Sequence, residues 1–335
     1  MFKKLFSRLD KTHLALAACI TGQMLWGFSF MFTRIAQESA PPMVQLSIRF
    51  IISAILMTLP VIFRPSRLNL KGHRLLILLA GSLFLPVYHF LEGSGIYYTN
   101  SSFAAIALSL LPILALALAA IFLKEFPTRH QVIFSFLPII GVIMITLANS
   151  QMGAIQAIGV VFLLLCSLVG AFGRILSRYM ARRFTAFERN YFNVLNSAII
   201  FTIVALVTVE DAPAAYVHAL SQPSFIFSTL FLCVMCTVAG ELLVNYSYGV
   251  LPIVKVSSIS AMSTICSLVV GVVFLHEPVN ALSLFGCCIA LIGIWQVNKV
   301  PNSEMKLDPA AQKAAGVIVG KETTPAESTP AEEND

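Results

Sequence analysis

Two stretches decide how this chain is read: IFLKEFPTRHQVIFSFLPIIGV (121–142) and VFLHEPVNALSLFGCCIALIGI (273–294). Phe122, Leu123 and Glu125 of the first match Phe274, Leu275 and Glu277 of the second, and Gly141 matches Gly293, each 152 residues on. Nearer the start, WGFSFMFTR (26–34) aligns with GAFGRILSR (170–178) at a spacing of 144. Two motifs in register are the signature of an internal repeat, and they divide the chain into halves at 14–149 and 154–298.

The rest of the sequence says where those halves sit. The chain has 335 residues, of which 58% are hydrophobic and only 11% charged, with a mean hydropathy of +0.85. Soluble domains carry about 25% charged residues, so this is not a soluble composition. A membrane-spanning helix needs about 20 largely apolar residues. Ten runs meet that: 14–34, 43–63, 75–98, 102–123, 131–149, 154–176, 190–209, 225–249, 252–275 and 280–298. The expected fold class is therefore an all-α membrane protein of ten transmembrane helices.

With the N-terminus in the cytoplasm and the runs alternating, Lys3, Lys4, Arg8, Lys11, Arg64, Arg67, Lys71, Arg74, Lys124 and Arg129 fall inside. So do Arg178, Arg182, Arg183, Arg189 and the lysines of the tail, whereas the outer loops hold Arg34 with Glu38, Glu210, Asp211 and Glu277. That asymmetry places both termini in the cytoplasm. Five helices per half is an odd number, so the second half enters the membrane from the opposite side: two inverted five-helix repeats, 14–149 and 154–298, between a short cytoplasmic N-terminus (1–13) and a tail (299–335). The tail is rich in Pro, Ala, Thr, Lys and Glu and is expected to be disordered. The net charge of +6 sets orientation and meets anionic lipid; scattered over loops, it forms no face for nucleic acid.

Seven cysteines, at 19, 166, 233, 236, 266, 287 and 288, all fall in apolar runs, where a free thiol is a small hydrophobe. Cys233-x-x-Cys236 lies mid-run without a second ligand pair, so no metal site is expected. LAAC (16–19) resembles a lipoprotein cleavage box, but the apolar stretch before Cys19 is too short for a signal sequence, and a retained first helix is expected. There is no GxxxxGK[ST] phosphate loop and no Ser–His–Asp set at a common depth, so neither an ATP-driven pump nor an enzyme is expected, and no cofactor.

Four charges within the runs are singled out: Arg49, Glu92, Arg174 and Glu241. Each costs about 2.5 to 3.5 kcal/mol at a helix centre, so each calls for a partner, a cavity or a function. Arg49 and Glu92 stand at equal depth from the outer ends of their runs, about 9 Å at 1.5 Å per residue, and are expected to form a buried ion pair. Glu241 holds the repeat-equivalent place of Glu92 toward the other face. Its nearest expected partner is Arg174, placed two residues from a run end and able to snorkel to headgroups.

On the third run Tyr88, His89, Glu92 and Ile96 share a face; on the eighth, Thr237, Glu241, Asn245 and Tyr248 do. Ser257, Ser260, Ser263, Thr264 and Ser267 stripe the ninth run, as close-packing residues or a hydroxyl-lined wall. Trp26, Ser29 and Phe30 offer an aromatic lid. The candidate substrate-binding set is Trp26, Ser29, Phe30, Tyr88, Glu92, Glu241, Asn245, Ser260 and Thr264. Proton coupling or a buried ion pair is assigned to Glu92, Arg49, Glu241 and Arg174.

The order of these motifs resembles the drug/metabolite transporter superfamily, specifically the EamA-type ten-helix carriers. The resemblance rests on Trp26-Gly27 with Ser29-Phe30, Arg49-Phe50, Glu92 with Tyr98–Ser101, Pro112, Phe122-Leu123-x-Glu125 and Gly141. In the second half it rests on Asn245-Tyr246 and Phe274-Leu275-x-Glu277-Pro278. The sequence departs from the pattern at Gly170, where an aromatic is usual, and at Thr264, where proline is. The resemblance implies a secondary transporter, often an exporter, of a small organic metabolite such as an amino acid, working by alternating access in a bacterial inner membrane as monomer or homodimer. Proton coupling through Glu92 or Glu241 and passive uniport fit the residues equally. The alternatives are a nucleotide-sugar or sugar-phosphate carrier, which would want several midplane Lys or Arg, and a non-transporting scaffold or sensor.

Overall fold

The structure is a computed structural model that describes residues 11–65, 68, 72–98, 107–108, 110–149, 156–263, 265–266, 269–270 and 281–300. The termini at 1–10 and 301–335 lie outside the described residues. Every described element is helical. The principal helices, labelled α1 to α10 in chain order, are Lys11–Gln37 (α1), Pro42–Phe63 (α2), Arg74–Ser82 continued by Phe84–Tyr98 (α3), Leu111–Leu118 continued by Ala119–Leu123 (α4) and Arg129–Asn149 (α5). They are followed by Ala157–Met180 (α6), Ala186–Thr208 (α7), Pro223–Phe231 continued by Leu232–Gly240 and Glu241–Val250 (α8), Ile253–Ile259 (α9) and Ala281–Lys299 (α10). A short surface helix, Ala212–Ser221, joins α7 to α8.

Among the described residues six helices are long and apolar enough to cross a membrane: α1, α2, α3 over Arg74–Gly95, α6, α7 and α8. Shorter apolar helices cover Leu111–Leu123, Ile253–Ser263 and Leu284–Lys299. Ten spans were expected; of the runs at 102–123, 252–275 and 280–298, only part of each lies within the described residues.

Local chemistry sets the helix ends. α7 opens with a capping box in which the Glu188 N–H donates to Thr185 Oγ1 at 3.1 Å and the Thr185 N–H donates to Glu188 Oε2 at 2.8 Å. α3 breaks at Leu83 because Pro86 has no N–H to continue the ladder. Leu83 instead donates to the Ala80 carbonyl, and Asn196 of α7 takes up the carbonyl of Leu79 at 2.9 Å. α4 widens into a π-helical turn over Ala119–Leu123, closed by Lys124 in the left-handed conformation (φ 54°). α8 is π-helical over Leu232–Gly240, immediately before Glu241.

Contacts fix which helix ends lie together. Ser247 near the end of α8 donates to the Ala15 carbonyl at the start of α1, and Arg189 at the start of α7 reaches Ser177 at the end of α6. Gln131 of α5 reaches the carbonyl of Val297 near the end of α10. This end, which also carries Arg74, Arg178, Arg182 and Arg183, is called the basic end below. At the opposite end the Gln156 N–H before α6 donates to the Tyr98 carbonyl of α3, and Tyr216 of the surface helix bonds Ser47 of α2.

α1 packs on α8, α3 on α6, α2 on α7, α5 on α10, and α4 on both α6 and α9. The α5–α10 contact is made by reciprocal glycines. A Cβ on Gly141 would stand 2.4 Å from the Gly286 carbonyl oxygen, and one on Gly293 would stand 2.4 Å from Cδ of Pro138. Only residues without a side chain let these backbones approach so closely.

Candidate functional site

Charged and amide side chains gather inside this apolar bundle at three levels. At the basic end, Arg178 of α6 and Glu125 of the α4–α5 turn form an ion pair (Nε to Oε1, 2.9 Å) that is almost wholly buried. Arg178 Nη1 also donates to the Tyr248 carbonyl at 2.9 Å, and Glu125 Oε2 accepts from the Ile253 N–H at 3.0 Å. One carboxylate and one guanidinium thus tie the end of α4, the end of α6, the end of α8 and the start of α9. Charge-assisted bonds of this kind are about twice as strong as neutral ones.

One turn deeper, Arg174 Nη1 donates to Ser257 Oγ of α9 at 3.1 Å. Arg189, buried, donates to the Asn245 side chain at 3.2 Å and to the Asn245 backbone carbonyl. Asn245 in turn donates to Glu241 Oε2 at 3.4 Å, and Arg49 and Arg189 both lie within electrostatic reach of that carboxylate. Arg49 Nε donates to Thr237 Oγ1 at 2.8 Å, so α2 is bound to the π-helical stretch of α8. Asn190 of α7 donates to the Thr237 carbonyl within the same stretch.

On α3, Glu92 accepts from the Tyr88 hydroxyl at 3.1 Å and meets His89 Nδ1 at 3.2 Å. The expected Arg49–Glu92 ion pair is not among the ion pairs of the described residues. Glu92 is held by neighbours on its own helix, while Arg49 turns to α8, on which α2 packs. The expectation for Arg174 is corrected as well: α6 runs on to Met180, which puts Arg174 six residues from the helix end rather than two. Arg174 bonds Ser257, and Glu241 is met by Asn245.

Of the remaining candidates, Trp26 Nε1 donates to the Cys236 carbonyl of α8 at 3.3 Å, and Ser29 donates to the Trp26 carbonyl in its own helix. Ser260 likewise turns to its own helix, donating to the Ser257 carbonyl. Thr264 and the Phe30 side chain lie outside the described residues. Gly170 is explained by its neighbours: a Cβ there would stand 2.6 Å from Leu111 and 3.0 Å from the Tyr88 ring.

Glu125, Arg178 and Arg189 are the residues that sequence reading misses. It counts Arg178 and Arg189 among the loop charges and Glu125 only as a motif residue, because all three fall outside the apolar runs. Glu125 stands in the very FLxE motif that marks the repeat, and that was the available signal. Among the described residues no cluster of metal-binding side chains occurs.

A bundle of long apolar helices with ionisable side chains buried between them fits a polytopic membrane protein. The sequence model of the EamA-like transporter family matches the chain twice, over 13–147 and 157–299, and the chain belongs to that family. It is 28% identical to the uncharacterized transporter YcxC of Bacillus subtilis over 84% of this chain and 91% of that one. It is 25% identical to the uncharacterized transporter YvbV of the same organism, over 94% and 98%. An uncharacterized transporter of Archaeoglobus fulgidus is 25% identical over 86% and 98%. A solved crystal structure shares the fold at a TM-score of 0.70 and 16% identity, covering 84% of this chain and 95% of the other.

Proposed function

We propose that the protein is a secondary carrier of a small organic metabolite, working by alternating access between two inverted five-helix repeats in a cell membrane. The observation that carries this is the convergence of Arg174, Glu241, Asn245, Tyr88, Glu92 and Arg49, drawn from both halves, inside an otherwise apolar bundle. Intramembrane charge of this kind is retained for substrate or ion pathways. The repeat is supported by the double match to one family model and by the packing. Exchanging each helix with the one five places on turns α1·α8 into α6·α3 and leaves α2·α7, α4·α9 and α5·α10 unchanged. The excess of Lys and Arg at the basic end supports a cytoplasmic placement of that end. Glu241 is the carboxylate assigned to coupling or to a cationic substrate group, because one long hydrogen bond is its only neutral compensation among the described residues.

The test is reconstitution. Proteoliposomes loaded with a metabolite extract are expected to release specific compounds over time, read by mass spectrometry, while protein-free liposomes retain them. Identical retention by both would sink the carrier reading.

A further inference from the structure

Arg174 carries more than a helix contact requires. It stands six residues before the end of α6, about 9 Å from that end at 1.5 Å per residue. Side chains on a helix lean toward its N-terminus, which for α6 is away from the basic end and into the membrane. Snorkelling to headgroups at the basic end would work against that lean. The guanidinium offers five N–H donors, and among the described residues its bond to Ser257 accounts for a single one. No ion pair joins Arg174 to a carboxylate among the described residues, in contrast to Arg178 one turn away, which has Glu125.

The surroundings of Arg174 come from both halves. Cys19 of α1, Tyr88 of α3 and Tyr248 of α8 lie within its electrostatic reach, and Ser257 of α9 is bonded to it. The residue is half-buried rather than sealed. Glu92 is bonded to the same Tyr88, and no ion pair joins it to Arg174 among the described residues. A cation held in this setting with one hydroxyl as its partner is short of an anion, and each unmet donor is costly in low dielectric.

We infer that Arg174, seconded by Ser257, is the anion subsite of the carrier, taking a carboxylate or phosphate oxygen of the transported molecule. This rests on the carrier reading above and adds the class of substrate to it. The subsite lies one helical turn deeper than the Glu125–Arg178 pair.

The experiment uses the full chain in detergent at fixed ionic strength, with thermal shift and equilibrium binding as readouts. The probes are amino acids and their matched carboxamides, short organic acids, and inorganic and organic phosphates. At least one anion-bearing probe is expected to bind while its neutral mate does not; whether that probe is a carboxylate or a phosphate assigns the class. Arg174→Gln is expected to weaken that binding about tenfold or more, the loss of a charge-assisted pair. Arg174→Lys, which keeps a point charge without the fork, is expected to retain part of it. Ligand-free Arg174→Gln is expected to melt no lower than wild type, since it removes an uncompensated charge; an arginine with a purely structural role would lower it. Equal binding of acid and amide, or unchanged anion binding in Arg174→Gln, overturns the subsite. Binding confined to neutral or cationic compounds overturns it while the carrier stands. No binding by any probe together with no release from proteoliposomes fails both.

Discussion

The glutamates of α3 and α8 have different partners. Glu92 is held by Tyr88 and His89 on its own helix. Glu241 has Asn245 at 3.4 Å and two arginines within reach from other helices. The two carboxylates should therefore respond differently to neutralisation. Glu241→Gln is expected to abolish accumulation driven by a pH gradient in proteoliposomes while leaving the fold intact by thermal unfolding; Glu92→Gln should reduce it only several-fold. Equal losses in both variants would remove the distinction. A second expectation at this scale concerns Lys124. A non-glycine residue in the left-handed region costs roughly 1–2 kcal/mol, and the end of a helix is where glycine normally takes that role. Lys124→Gly is expected to raise the melting temperature, and a lower one would show that the lysine side chain makes a compensating contact.

What could be read from the chain differs by residue in a physical way. Depth along a run follows from spacing, which is why Arg49 and Glu92 are expected to pair. Spacing does not say which neighbouring helix a side chain turns to, and Arg49 turns to Thr237 of α8. Hydropathy locates where a run becomes polar, not where a helix stops. α6 continues through Ser177 and Arg178 to Met180, and that extension carries the arginine that binds Glu125.

At the scale of elements, the π-helical stretches were not legible at all. Whether a residue bonds back four or five positions depends on what its helix packs against, and composition is indifferent to it. Both stretches lead into a glutamate: Leu232–Gly240 runs directly into Glu241, and Ala119–Leu123 is followed by Lys124 and Glu125. π-helical turns recur at functional sites because they re-aim the side chains that follow. The glycine matches, by contrast, were legible as a repeat, and the structure gives their cause in the close α5–α10 approach. Glycine position should therefore predict tolerance. Gly93→Ala, where an added Cβ meets nothing within 4 Å, is expected to be neutral or stabilising by about 0.5–1 kcal/mol. Gly293→Ala, where the Cβ would stand 2.4 Å from Pro138 and 2.7 Å from Leu137, is expected to lower the melting temperature clearly and to free α5 from α10. If the two substitutions melt alike, the close approach is not what requires the glycine.

At the scale of the molecule, the Glu125–Arg178 pair ties the helices of the basic end together. It joins the first half, through the α4–α5 turn, to α6, α8 and α9 of the second, and it does so with bonds to backbone as well as between side chains. Under the alternating-access mechanism proposed above, this tie would have to break in every cycle, and its strength would set how often the basic end opens. Removing one member of a buried pair leaves the other uncompensated and costs about 3–5 kcal/mol, whereas replacing both by apolar residues of similar volume costs far less. Glu125→Ala is thus expected to lower the melting temperature more than Glu125→Leu combined with Arg178→Met. It is also expected to speed hydrogen exchange at Ile253 and its neighbours, whose N–H loses its acceptor. In transport the double variant should favour the state open at the basic end. Water-soluble thiol reagents applied from that side should then reach a cysteine placed at Ser257 faster than in the unaltered pair background. Unchanged exchange at the start of α9 and unchanged labelling would mean that the pair holds the fold and not the gate, leaving alternation to be controlled at another level of the bundle.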